Sequence, residues 1–233
     1  MLNEAANGIA GTATALAVLR GGTANVWAKE TRCAKDAVAA MRAIVRGERR
    51  RIDLGRANGR YFLLMAGIGL DAAIVPRVGA RMKRRFGALA YIIAGIVTAL
   101  RTKPWRVRMA IDDDTAESSL YWMLAGNTRS YGGAVQITHR AVADDGLLDI
   151  ALMRRGGALH LIADGVRVLL RRHDRSPNVR YVRARGVDIT TPGIPVQLDG
   201  EPHGATPLRI EAAPLALAVI VPAGLRSPLF SRD

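Results

Sequence analysis

The sequence predicts a small α/β unit followed by a larger, mostly antiparallel β lobe that carries helices. Three observations predict it. The first 47 residues alternate short apolar runs with segments of three- and four-residue periodicity. From residue 48 onward, strand-like runs come in pairs separated by turn residues. Hydrophobic residues make up 49% of 233 residues and charged residues 23%, a balance that suits a folded chain with a substantial core.

Residues 2–10 read as a helix, and ATALAVLR at 13–20 reads as a strand ending in the glycine turn GGTAN at 21–25. A helix is predicted over Ala34 to Arg46, where Ala37, Val38, Met41, Ile44 and Val45 recur at helical spacing. RRRIDLGR and RYFLLMAGIG then form a hairpin around Ala57, Asn58 and Gly59. The most apolar stretch, Phe86 to Leu100, is shorter than the ~20 residues that span a bilayer, and it reads as a buried helix with an interfacial alternative. WRVRMAID and SSLYWMLAGN predict a second hairpin with its turn over Asp112 to Ala116. LLDIALMR at 147–154 reads as a strand and 157–172 as an amphipathic helix. VRARGVDITT, IPVQLDGE, TPLRIEAA and LALAVIVP read as four closing strands, and residues 223–233 as a tail.

The charge balance is unusual: 34 Lys and Arg against 20 Asp and Glu leave +14. Coding composition alone can produce such a bias; the electrostatic reading is an anionic partner, whether nucleic acid, an anionic membrane surface or a phosphorylated small molecule. The basic residues fall at Arg46 to Arg51, Arg77 to Arg85, Arg101 to Arg108 and Arg167 to Arg185, so they do not form one tail. A single cysteine, Cys33, excludes an intramolecular disulfide and a multi-cysteine zinc site, which makes the cytoplasm the default expectation. The opening MLNEAANGIAG lacks the basic-then-apolar pattern of a secretory leader.

Three segments carry candidate chemistry. In GGTAN the glycines allow backbone N–H groups to approach a phosphate, and Thr23 offers a hydroxyl at a helix start, although many strand–turn–helix units use such residues structurally. In AVADDGLLDI, Asp144 and Asp145 precede a glycine and a strand; adjacent acids suit a hard cation such as Mg²⁺, while a solvated Asp-Gly turn is the bland alternative. In PVQLDGEPHG, an apolar strand delivers Asp199, Gly200 and Glu201 to a turn. That turn could be only a hairpin, but a carboxylate on a rigid strand end also suits a general base for a substrate hydroxyl. His203, between proline and glycine, reads as a loop residue.

Taken together, LNEAANGI, GGTANVWAKE, GIGLDAAIV, GNTRSYGGAVQITHRAVADDGLLDI and PVQLDGEP resemble, in order and spacing, the bacterial diacylglycerol kinase and sphingosine kinase-like lipid kinases. The resemblance runs from Leu2 to about Pro222. It implies an N-terminal α/β nucleotide-binding lobe, partial here over 1–47, and a β-sandwich lipid- and metal-binding lobe over 48–222. It further implies an ATP-dependent kinase that transfers the γ-phosphate to a lipid hydroxyl, with ATP and Mg²⁺ as cofactors. Gly22 and Thr23 would lie in the nucleotide site. The Asp145 carboxylate and the backbone carbonyls of Val142 and Leu147 would hold magnesium. Glu201 would accept the proton, and Asp199 would orient Glu201 or a metal-bound water; Asn127 and Tyr131 to Gly133 would line the cleft. Diacylglycerol, a sphingoid base, phosphatidylglycerol and an inositol lipid all fit as acceptors.

The family pattern places a GGDGT-type glycine loop directly before the NE of LNEAANGI, whereas here Asn3 and Glu4 follow almost directly upon Met1. The resemblance therefore leads to an expectation of a truncated sheet with an exposed edge and impaired activity, through either a misplaced start or a genuine remnant. The partners it implies are a lipid substrate at a membrane surface and peripheral association with anionic membrane, with no specific nucleic acid and a homodimer left open. A non-catalytic binder of anionic membrane or nucleic acid is the competing reading, and a soluble NAD kinase-like activity fits the β-lobe motifs poorly.

Overall fold

The computed structural model describes residues 1–22, 24–74, 99, 101–133 and 135–231. Helix α1 spans Leu2–Ile9 and is followed by the two-residue strand β1, Ala15–Leu16, then α2, Val26–Glu30, and α3, Ala37–Val45. Strands β2, Glu48–Ala57, β3, Arg60–Phe62, and β4, Met65–Gly69, lead into α4, Leu70–Ile74. Strands β5, Trp105–Ile111, β6, Asp114–Leu120, β7, Trp122–Gly126, and β8, Leu148–Met153, come next. Helix α5, Ala158–Leu169, and a 3-10 turn at His173–Arg175 then precede β9, Val179–Ala184, β10, Gly186–Ile189, β11, Pro195–Leu198, β12, Glu201–Ala205, and β13, Leu208–Val221. The expected helix at 86–100 lies outside the described residues, apart from Ala99.

These strands form two sheets. One runs β3-β2-β13-β10-β5-β6, with β1 added in parallel to β13; the other runs β12-β11-β4-β7-β8-β9, and every pair except β1 with β13 is antiparallel. The main core lies where the sheets face each other and includes Phe62, Ile68, Leu120, Met123, Ile150, Val187, Val196 and Ile210. A second cluster covers the other side of the β2–β13 region, where Ala6, Leu16 and Trp27 pack with Ile52, Leu54, Leu217 and Val219. Leu225, Leu229 and Phe230 are buried in that same cluster, so apolar burial holds the C-terminal segment on the body.

Several predicted strands prove to be two. RYFLLMAGIG breaks at Leu63–Leu64, SSLYWMLAGN at Tyr121, and VRARGVDITT at Arg185, and at each break the chain leaves one sheet for the other. Leu63 and Tyr121 are fully buried, so a continuous apolar run conceals the crossing from any pattern of periodicity. The reverse happens at the end: TPLRIEAA and LALAVIVP are one long strand, β13, with a register shift between Ala213 and Leu217. Pro214 lacks a backbone N–H and Leu215 takes φ 50, which makes this a bulge rather than a turn. The expected 13–20 strand shrinks to Ala15–Leu16.

Candidate functional site

The DGE segment is a tight hairpin between β11 and β12. Asp199 and Gly200 both take positive φ, 51 and 88, as a two-residue loop of the primed type requires. Glu201 follows as the first residue of β12, at the edge of its sheet, with its side chain 58% exposed and the Met1 ammonium 3.7 Å from its Oε1. Asp199, two residues earlier, turns the other way. Its Oδ2 accepts from Asn3 Nδ2 at 2.7 Å and Leu63 N at 2.8 Å, and its Oδ1 from Leu64 N at 2.8 Å and Met65 N at 3.0 Å. Those three amides belong to the β3–β4 crossing, where sheet pairing is interrupted; the carboxylate supplies the missing acceptors. Burial pushes the Asp199 carboxyl above its ordinary value, against the four N–H donors, which favour its ionised form. The same turn is gripped from beneath. Gln197 Oε1 accepts from Gly200 N at 2.5 Å, and Gln197 Nε2 donates to Asp71 Oδ2 at 2.5 Å, while Tyr131 donates its hydroxyl to Asp71 Oδ1. Burial raises the Asp71 carboxyl as well.

The DDG turn precedes β8. Gly146, at φ 75, donates its N–H to Asp53 Oδ2 at 2.6 Å, and Leu215 in the β13 bulge donates to Asp53 Oδ1 at 2.7 Å. Asp53 is fully buried within β2, and burial pushes its carboxyl up. Asp145 turns outward: Oδ1 caps Leu147 N at 3.1 Å, and Oδ2 is ion-paired with Arg183. Asp145, Gly146 and Leu147 form one wall of an open cleft of about 460 Å³, faced by Arg185, Ala212 and Pro214. Val142 is half-buried one turn upstream. A single carboxylate with neighbouring backbone carbonyls suits a hard cation that keeps several waters, and among the described residues no three His, Cys, Asp or Glu side chains gather into a denser site. A guanidinium already rests on the Asp145 oxygen, so the position attracts positive charge. The residues present therefore fit a divalent metal.

Thr23 lies outside the described residues. Gly22 N donates to Asn25 Oδ1 at 2.9 Å, and Asn25 takes φ 47 to start α2. This loop rests against the SYGG turn: Lys29 Nζ donates to Gly133 O at 3.3 Å, and Ser130 N to Glu30 Oε1 at 2.6 Å.

Sequence reasoning missed the polar chain between the two turns. Asn127 does not line a cleft. It is fully buried, its Nδ2 donating to Asp53 O at 2.8 Å and Leu63 O at 3.2 Å. The DDG turn thus connects through Asp53, Asn127 and Leu63 to Asp199 and the DGE turn. The available signal was an aspartate inside the apolar strand run IDLG, which a buried strand holds only when its oxygens are satisfied.

Residues 65–221 match the family described as the YegS C-terminal NAD kinase beta sandwich-like domain, and residues 1–57 match the diacylglycerol kinase catalytic domain. A diacylglycerol kinase of Mycobacterium tuberculosis is 34% identical over 95% of this chain and 74% of its own length. A probable YegS-like lipid kinase of Pseudomonas putida is 33% identical over 97% of this chain and 74% of its own. A crystal structure of a diacylglycerol kinase-like protein from Bacillus anthracis superposes with a TM-score of 0.77 at 23% identity, covering 97% of this chain and 76% of that one, which shows the shared fold. With one family match across the β sandwich and relatives at this identity matched over about three quarters of their own length, the chain belongs to the diacylglycerol kinase and YegS-like family of lipid kinases.

Proposed function

We propose that this chain is an ATP-dependent lipid kinase that transfers the γ-phosphate to the hydroxyl of diacylglycerol or a similar lipid. The observation that carries the reading is the division of labour in the DGE turn: Asp199 is consumed by backbone donors, which fixes the turn and leaves the Glu201 carboxylate exposed beside it. Glu201 takes the proton from the lipid hydroxyl as its oxygen attacks the terminal phosphoryl group, and the displaced nucleoside diphosphate carries away the bonding pair. Asp199 acts as a positioning residue for that base. Gly22 and Thr23 contribute to the nucleotide site. The Asp145 carboxylate and the carbonyls of Val142 and Leu147 would hold Mg²⁺, which would supply neutralising charge for the phosphoryl oxygens.

Peripheral contact with anionic membrane brings the acceptor within reach. Helix α3 supports this: Val38, Met41 and Val45 are exposed, with Arg42 and Arg46 exposed among them. Basic residues near an anionic surface contribute about 1 kcal/mol each. Among the described residues no helix is long and apolar enough to cross a membrane.

The test is phosphate transfer from labelled ATP to diacylglycerol in mixed micelles. Glu201→Gln abolishes transfer if Glu201 is the base, and full activity in that variant removes the assignment. The same assay on a chain extended upstream of Met1 tests whether the 233-residue chain is impaired; equal rates reject that impairment. Salt-sensitive vesicle or DNA binding with no transfer by either chain favours the non-catalytic alternative.

A further inference from the structure

The cation on Asp145 is shared with a second acid. Arg183, on β9, is ion-paired with Asp145 Oδ2 through its terminal nitrogen, while its Nε lies 3.5 Å from Asp149 Oδ2. Asp149 is one residue into β8 and 1% exposed. Its Oδ1 accepts from Tyr181 OH at 2.6 Å, but its Oδ2 has no hydrogen-bond partner among the described residues. A buried carboxylate oxygen left open is costly, and the guanidinium beside it is the group able to fill the vacant acceptor site. Arg140 and Arg129 also act on Asp149 through their charge, but Arg140 is ion-paired with Asp174, and among the described residues Arg183 is the cation in ion-pair contact with Asp149. Arg183 therefore has two seats: one on the outward acid of the DDG turn and one, incompletely taken, on the buried acid behind it.

We propose that Arg183 is an exchangeable internal counter-ion for the metal site. With no metal, its guanidinium neutralises Asp145; when a divalent cation binds Asp145, Arg183 withdraws to complete the pairing with Asp149. The device makes metal affinity depend on the seat offered by Asp149, and assigns Arg183 and Asp149 as positioning residues for the metal. The inference rests on the reading of Asp145 as a metal ligand. Its chemistry is like-charge competition: a cation within a few ångströms of a metal position opposes metal binding unless it moves to an anion of its own.

The experiment is Mn²⁺ binding, followed as loss of the free-ion electron paramagnetic resonance signal, with no nucleotide or lipid present. Arg183→Met removes the competitor and lowers the Mn²⁺ Kd about tenfold, the scale of one nearby unit charge in partly exposed surroundings. Asp149→Asn removes the second seat, leaves Arg183 on Asp145, and raises the Kd several-fold. In the Arg183→Met background the same Asp149→Asn change has no effect, because nothing remains to be reseated. An unchanged or higher Kd in Arg183→Met overturns the proposal, as does an equal Asp149→Asn effect in both backgrounds. Arg183→Gln, with the charge removed and donors kept, makes the same comparison if the methionine variant does not fold. Asp145→Asn separates the two claims: it abolishes Mn²⁺ binding if Asp145 is the ligand. Wild-type affinity there rejects the metal reading itself, whereas loss there with no gain in Arg183→Met rejects only the exchange.

Discussion

Asn3 in the first helix donates its side-chain amide to Asp199 Oδ2 at 2.7 Å, joining the chain's third residue to a turn 196 positions away. The bond ties α1 to the β11–β12 hairpin. Asn3 Nδ2 also donates to Tyr61 O at 3.0 Å, so one amide fastens both the hairpin and β3.

The two acids of the DGE turn should separate in their mutational behaviour. Asp199→Ala strands the N–H groups of Leu63, Leu64 and Met65, each of which costs about 1–3 kcal/mol when buried without an acceptor. Urea denaturation should show a loss of several kcal/mol and activity should fall with it. Glu201→Gln alters an exposed side chain and should stay within about 0.5 kcal/mol of wild type while phosphoryl transfer falls about a hundredfold or more. Equal destabilisation by the two changes contradicts this division of roles.

Gln197 is polarised by its neighbours, with Oε1 facing a backbone donor and Nε2 facing a carboxylate. Asp71→Ala therefore leaves Gln197 Nε2 and the Tyr131 hydroxyl without their shared buried acceptor. A cost of about 1–3 kcal/mol is expected in thermal or urea unfolding, with a lower kcat because the DGE turn loses its support. Gly67→Ala should do similar harm, since its Cβ would fall 1.9 Å from Asp71 Oδ2 and 2.4 Å from Gln197 Nε2.

Tyr121, buried at a crossing between the sheets, donates its hydroxyl to Ala99 O at 2.5 Å, and burial pushes its pKa up to about 12. The unfolded chain releases that proton near pH 10, so its contribution is complete below pH 10 and is lost as pH rises toward 12. Tyr121→Phe should cost about 1 kcal/mol at pH 7 and flatten stability between pH 10 and pH 12. Denaturation midpoints across that range measure it; parallel curves for the two proteins refute it.

What was legible depended on whether the signal was local. The DG turn announced a hairpin because Asp-Gly favours positive φ, and Glu201 was readable as a strand-end acid. The exchange of strands between sheets was hidden, because Leu63 and Tyr121 are as apolar as the strands they interrupt. The role of Asp199 was hidden too: its partners lie 134 to 136 residues earlier in the β3–β4 region and 196 residues earlier at Asn3. The sequence offered Asp145 as a candidate metal ligand or a plain turn residue, and only folding brings Arg183 onto it from β9.

Asp53 is where the DDG turn and the β13 bulge meet, and both of its side-chain oxygens face backbone N–H groups. Asp53→Asn keeps the volume but turns an NH₂ toward either Gly146 N or Leu215 N. The carbonyl of Asp53, which accepts from Asn127, is unaffected, so the damage should be confined to the DDG turn and the bulge. The expected result is a loss of about 1–3 kcal/mol in unfolding experiments, together with a several-fold weaker Mn²⁺ Kd because Gly146 no longer fixes the position of Asp145. Asp53→Ala should lower stability further by emptying a buried site. If Asp53→Asn binds Mn²⁺ like wild type while being destabilised, the clamp supports the fold alone and Asp145 is held by its bond from Leu147 N.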